Sequence, residues 1–240
     1  VSYTEKRGIS YPLGTDKINI DILNRNTSIL AARQYTATVG YDERADYIVE
    51  GSTEAEKAKS FKSAMESALE ENFAVCILEG EYYSNAAVRI KDSRTVFGEG
   101  LFTNIYKICD SSEEAAVFEL NGEGIELSTM TITCEDDSAT STYPDIMIRG
   151  EICRLEGINF IDHRDLGEES ADAAVYIKGG YMTIVTGCRF NLEYRRYDVY
   201  SDAPSLAIGN INSVREFTAG GSLEYYGNLG HISALEVVNE

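Results

Sequence analysis

Residues 86–92 read AAVRIKD, 115–121 read AAVFELN, 144–150 read PDIMIRG and 173–179 read AAVYIKG. Their anchors, Val88, Val117, Ile146 and Val175, each fall 29 residues after the one before. A fixed period of this length marks stacked repeats. A second column follows each anchor: LSTMTI at 127–132, LEGINF at 155–160 and VTGCRF at 185–190. Apolar residues fill the first, fourth and sixth places, and the last two alternate across one polar residue, as in a strand. Gly157 and Gly187 at the third place suit a bend between short strands. No 3.6-residue stripe occurs inside a repeat, so helix-bearing repeats are excluded. The expectation is a coil of parallel β rungs with like residues stacked one above another.

The segment leading into these repeats resembles the opening of pectin-lyase-like right-handed β-helices. A helical stretch over 53–71 is followed by AVCILEGEYY at 74–83, AAVRIKD at 86–92 and the Gly-rich bend VFGEG at 96–100. ADYIVEG at 45–51 and NIDILNRN at 19–26 resemble segments of tail spikes and tail appendages from phages of Gram-positive hosts. The resemblance covers about four-fifths of the chain. It implies an all-β, right-handed parallel β-helix and a phage-tail setting. It does not imply one activity, because this fold carries lyases, hydrolases, epimerases and inert adhesins.

The chain divides into an N-terminal arm and helical attachment segment, 1–33, and a β-helix domain, 34–240. Residues 1–15 have no period and read as an extended arm. Ile18, Ile22, Leu23, Ile29 and Leu30 make a helical stripe over 16–33, which packs on its own coil or forms a three-chain bundle. TATVG and DYIVE within 34–50 read as the first strands. Thr53 and Glu56 have capping-box spacing, and Ala58, Phe61, Met65, Ala68 and Leu69 form the buried face of a helix ended by Asn72. That helix covers the open end of the coil, whose strand edges would otherwise invite aggregation. Past Val175 the register loosens, and 191–203 (NLEYRRYDVYSDA) reads as a loop leaving the coil.

A net charge of −19 argues against nucleic acid and anionic membrane as partners, and is compatible with a divalent cation such as Ca²⁺. No cofactor is otherwise implied. The five cysteines include no CxxC pair, so neither a disulfide framework nor a zinc site is suggested. They read as reduced core residues, in keeping with synthesis in a bacterial cytoplasm and a place in the virion.

Stacking also brings distant polar residues together. Three, four and five residues after Ile132, Phe160 and Phe190 come Glu135, His163 and Glu193, then Asp136, Arg164 and Tyr194, then Asp137, Asp165 and Arg195. Asp137 and Asp165 would lie about one rung apart, roughly 5 Å, the separation of a retaining carboxylate pair. His163 between two charged neighbours suits a general base. The catalytic candidates are therefore Asp137, Asp165 and His163, and the ligand-binding candidates Glu135, Glu193, Tyr194, Arg195 and Tyr197. A plain solvated turn explains the same residues, and an interchain contact explains the tyrosines. Arg89–Ile90–Lys91 matches the basic string of polygalacturonases, but that family's paired-Asp and Gly-His-Gly strings are absent nearby. The functional expectation is a structural or adhesive component of a phage tail, trimeric, attached to other tail or baseplate proteins through 1–33. The alternative is a tail-spike enzyme that depolymerises host-surface polysaccharide.

Overall fold

A computed structural model describes residues 3–6, 9–12, 36–91, 93–108, 115–134, 143–162, 173–179, 182–192, 197–203, 205–212, 223–226 and 229–230. Strands of three to five residues build most of the coil, each turn adding one strand to each of three sheets. Sheet 1 stacks Val88–Ile90, Phe118–Leu120, Ile146–Ile148, Ala173–Ile177 and Tyr197–Ser201. Sheet 2 has nine strands, from Tyr47–Ile48 and Thr36–Gly40 through Glu126–Ser128 and Arg154–Glu156 to Leu223–Tyr226. Sheet 3 has seven, from Gly80–Ser84 through Thr131–Cys134 and Asn159–Asp162 to Leu229–Gly230. Pairing in all three is parallel. Parallel neighbours joined through two further strands give a right-handed parallel β-helix.

Alternation puts every second side chain inside, where equal positions stack. Ala37, Val75, Val96, Leu127, Leu155 and Val185 form one buried file in sheet 2. Tyr82, Ile105, Ile132, Phe160 and Phe190 form another in sheet 3, ending in two phenyl rings 4.9 Å apart and 2° from parallel. The second column of the sequence pattern is thus in register as expected.

The first column holds with one correction. Val88, Val117, Ile146 and Val175 are all buried, but the residue stacked between Val88 and Ile146 is Phe118. Val117 precedes the strand, where its N–H donates to the Asp145 carbonyl (2.8 Å) and its carbonyl accepts from Val88 (3.0 Å). The cause is charge. Aligning Val117 with Val88 would turn Glu119 inward beside Ile90, because a one-residue slip exchanges the two faces of a strand. A buried, unpaired carboxylate costs several kcal/mol. In the observed register Glu119 lies outside beside Arg89, with Nε to Oε2 at 3.0 Å.

The end of the coil needs one further correction. Residues 197–201, expected in a departing loop, are the fifth strand of sheet 1, with Val199 on Val175. The 206–208 run continues sheet 2, with Leu206 on Ile184 and Ala207 on Val185. At the N-terminus, the expected extended arm contains an antiparallel hairpin, Tyr3–Lys6 with Ile9–Pro12. The helical stripe expected at 16–33 lies outside the described residues.

Helix α1, Glu54–Glu71, covers the first coil. Its capping box is present: Thr53 Oγ1 accepts from the Glu56 N–H and Glu56 Oε2 accepts from the Thr53 N–H, both at 3.2 Å. Ala58, Phe61, Ala64, Met65, Ala68 and Leu69 face inward, and the Phe61 ring sits 5.2 Å from that of Tyr82. Asn72 ends the helix through its N–H to the Ala68 carbonyl (3.0 Å).

Between sheets 2 and 3 the chain turns through a left-handed residue on successive rungs, Thr129, Gly157, Gly187 and Gly209. Gly157 and Gly187 are the bend glycines of the repeat. A second such file separates sheets 1 and 2: Gly124, Ile152 and Met182. Ile152 is a β-branched residue at φ +53°, a costly conformation without glycine.

Candidate functional site

Cys134, Asp162 and Leu192 stack at the last paired position of sheet 3. The chain leaves that corner there and returns to start sheet 1. The connecting spans are 135–145, 163–172 and 193–196. Glu135, Asp136, Asp137, His163, Arg164, Asp165, Glu193, Tyr194 and Arg195 belong to these spans and lie outside the described residues. What the structure establishes is the alignment of their roots. The connections differ in length, at eleven, ten and four residues, so equal offsets are enforced by pairing only up to the roots.

The same corner holds buried charges the sequence pattern did not single out. Lys107 and Asp145 are enclosed, and Lys107 Nζ donates to the Tyr143 carbonyl, to the Pro144 carbonyl (3.3 Å) and to Asp145 Oδ1 (3.4 Å). Cys134 Sγ lies 3.6 Å from the same Asp145 oxygen, and Asp162 and Asp198 are buried as well. A signal existed: Thr103, Ile105 and Lys107 occupy the inward places of TNIYK, so period two alone turns Lys107 into the coil.

The outer face of sheet 1 carries the file Arg89, Glu119, Met147, Tyr176 and Tyr200. Its far end is aromatic. Tyr176 and Tyr200 meet edge to face at 5.3 Å, and Tyr197 and Tyr200 meet at 5.3 Å with a 43° tilt. The Tyr176 hydroxyl donates to Asp202 Oδ2 at 2.6 Å. That hydrogen bond, followed by partial burial, pushes the phenol up to about 12. Tyr197, the one site candidate among the described residues, is half-buried in this cluster. It arrives there on a strand, not on the loop the sequence suggested. Rings with polar edges beside a carboxylate can stack on a sugar and hydrogen-bond its hydroxyls.

A second tyrosine cluster marks the capped end. Tyr41 stacks on Tyr82 at 4.9 Å and Tyr83 on Tyr106 at 5.6 Å, while Lys57 Nζ stands 5.8 Å from the Tyr41 ring and 5.5 Å from that of Tyr83. Their faces are already occupied by one another, which makes this cluster a clamp between α1 and sheet 3.

Among the described residues no three His, Cys, Asp or Glu side chains are grouped to hold a metal ion. Burial pushes the thiols of Cys153 and Cys188 up to about 11 and about 12. Both stay protonated at neutral pH, which suits packing rather than nucleophilic attack.

No protein-family model matches the chain, and no curated protein matches it. Two solved structures are similar. One is ORF18 of Geobacillus virus E2, with 12% identity, a TM-score of 0.48, and coverage of 95% of this chain and 47% of that one. The other is the pectin methylesterase PemA from Erwinia chrysanthemi, with 12% identity, a TM-score of 0.49, and coverage of 82% of this chain and 60% of that one. The chain thus spans about half the length of the first and three-fifths of the second.

Proposed function

We propose that the chain is a structural or adhesive component of a phage tail or phage-tail-like particle that meets host-surface glycans with the outer face of sheet 1. The observation that carries this reading is the cluster of half-buried Tyr176, Tyr197 and Tyr200 with exposed Asp202, aromatic rings and a carboxylate grouped at the outer face of sheet 1. The resemblance of residues 45–51 and 19–26 to phage tail appendages supports the setting. In this reading the chain is a homotrimer in the virion, joined to other tail or baseplate proteins through 1–33.

The test is binding of the protein to purified host-surface polysaccharide. Tyr176→Ala and Tyr200→Ala should each weaken binding about tenfold or more, a loss of roughly 1.4 kcal/mol. Unchanged binding in both would remove this face from the proposal. Deleting residues 1–33 should lower the oligomer mass in light scattering and leave glycan binding in place.

A second reading, polysaccharide depolymerase, is favoured by the aligned roots at Cys134, Asp162 and Leu192. Glu135, Asp137, His163, Asp165, Glu193 and Arg195 follow these roots in the sequence. A hydrolase would release reducing ends from the glycan and a lyase an unsaturated product. Asp165→Asn should abolish either, and should leave assembly untouched if the chain only adheres.

A further inference from the structure

At the capped end a groove of about 520 Å³ runs between the C-terminal half of α1 and the first strand of sheet 1. Its helix wall presents Glu66 and Glu70, and its other wall Arg89, Lys91 and Arg94. Buried Leu69 and Ile90 contribute the apolar part of the lining. The volume lies within the roughly 300–1,000 Å³ of small-molecule sites.

The two walls carry opposite charge, yet among the described residues no ion pair joins them. Glu66 meets Lys62 on its own helix at 4.0 Å, and Arg89 turns its Nε to Glu119 at 3.0 Å. Arg94 is held by Nε to the Leu69 carbonyl at 3.1 Å and Nη1 to the Ser93 carbonyl at 3.0 Å. Its guanidinium therefore answers the helix C-terminus, whose last turn holds no basic residue. Glu70 and Lys91 have no hydrogen-bond or ion-pair partner among the described residues. Separated opposite charges over an apolar patch are the complement of a ligand bearing both an ammonium and a carboxylate on an apolar body. The ammonium is drawn to the glutamates and the carboxylate to Arg89 and Lys91, where a guanidinium offers a planar pair of donors.

We infer that this groove binds a zwitterion of the α-amino acid type. The source is either a free amino acid or the end groups of a short peptide. The site is remote in sequence from the tyrosine cluster, and the proposal stands independently of glycan binding.

The full 240-residue chain is titrated calorimetrically with L-leucine and with leucyl-leucine, then with leucinamide and 4-methylpentanoate, which lack the carboxylate and the ammonium. Saturable binding of leucine or the dipeptide is expected, and the tighter of the two identifies the source. Removing either ligand charge should weaken binding about tenfold or more. Glu70→Gln and Lys91→Met should do the same while the melting temperature stays put, since both side chains are exposed. Absence of saturable binding by leucine and dipeptide up to about 10 mM would overturn the proposal. So would binding that ignores both substitutions, or equal affinity for the singly charged analogues.

Discussion

The Lys107 ammonium lies 3.4 Å from the Asp145 carboxylate inside the coil, with side chains 0% and 1% exposed. Lys107 ends a strand of sheet 3 and Asp145 stands just before one of sheet 1, so the pair ties two sheets across the corner from which the variable spans depart. Removing one partner leaves a buried, unpaired charge. Lys107→Met alone should cost about 3–5 kcal/mol in urea unfolding, and Lys107→Met with Asp145→Leu should recover much of it. A double variant no more stable than the single one would assign the cost to lost packing.

Val117 tests the core independently of its place in the register. It is fully enclosed one residue before the strand. Val117→Asp should destabilise by several kcal/mol and abolish cooperative unfolding at moderate urea. Phe118→Ala, in the true column, should cost about 3–5 kcal/mol through the cavity it leaves. A Val117→Asp protein that melts like the wild type would mean that this side chain is not enclosed.

Ile152 offers a substitution in the opposite direction. It sits at φ +53° with 49% of its surface exposed, so strain is not offset by full burial. Ile152→Asn should stabilise by about 1 kcal/mol, because asparagine tolerates the left-handed region. A lower melting temperature would show that the exposed isoleucine makes a contact worth more than the strain.

Tyr176 should ionise late. Its phenol is raised to about 12 by the hydrogen bond to Asp202. A group raised above its unfolded value near 10 adds stability that is complete below pH 10 and lost as pH climbs through about 12. In an ultraviolet titration Asp202→Asn should move one tyrosine back toward the ordinary range. Identical titration curves for variant and wild type would rule out the hydrogen bond as the cause. Tyr41, also raised to about 12 but mainly by burial, should not respond.

The parts of this fold that were legible in sequence were those set by alternation. Leu127, Leu155 and Val185, and Ile132, Phe160 and Phe190, stack as their spacing requires, and Thr53 with Glu56 caps α1. The slip at Val117 was also written there: F-E-L alternates, and only one register keeps Glu119 outside. Matching the string AAV outweighed that signal. Tyr197–Ser201 was missed because tyrosine, aspartate and arginine look like loop chemistry, whereas Asp198 and Ser201 are buried in the strand. The charge ladder depends on offsets counted beyond Cys134, Asp162 and Leu192, the last positions whose pairing is described. Lys107 is marked only by its inward place in TNIYK, because residue type alone points a lysine to solvent.

The spans at the sheet 3 to sheet 1 corner run to eleven, ten and four residues, yet the strands on either side stay paired rung to rung. Length there is uncoupled from register. A segment can be lengthened, shortened or exchanged at that edge at the modest entropic cost of a longer loop, while the stack beneath it is unmoved. The coil is in this sense a rack with interchangeable fittings: a lineage can trade segments along one edge without redesigning its core.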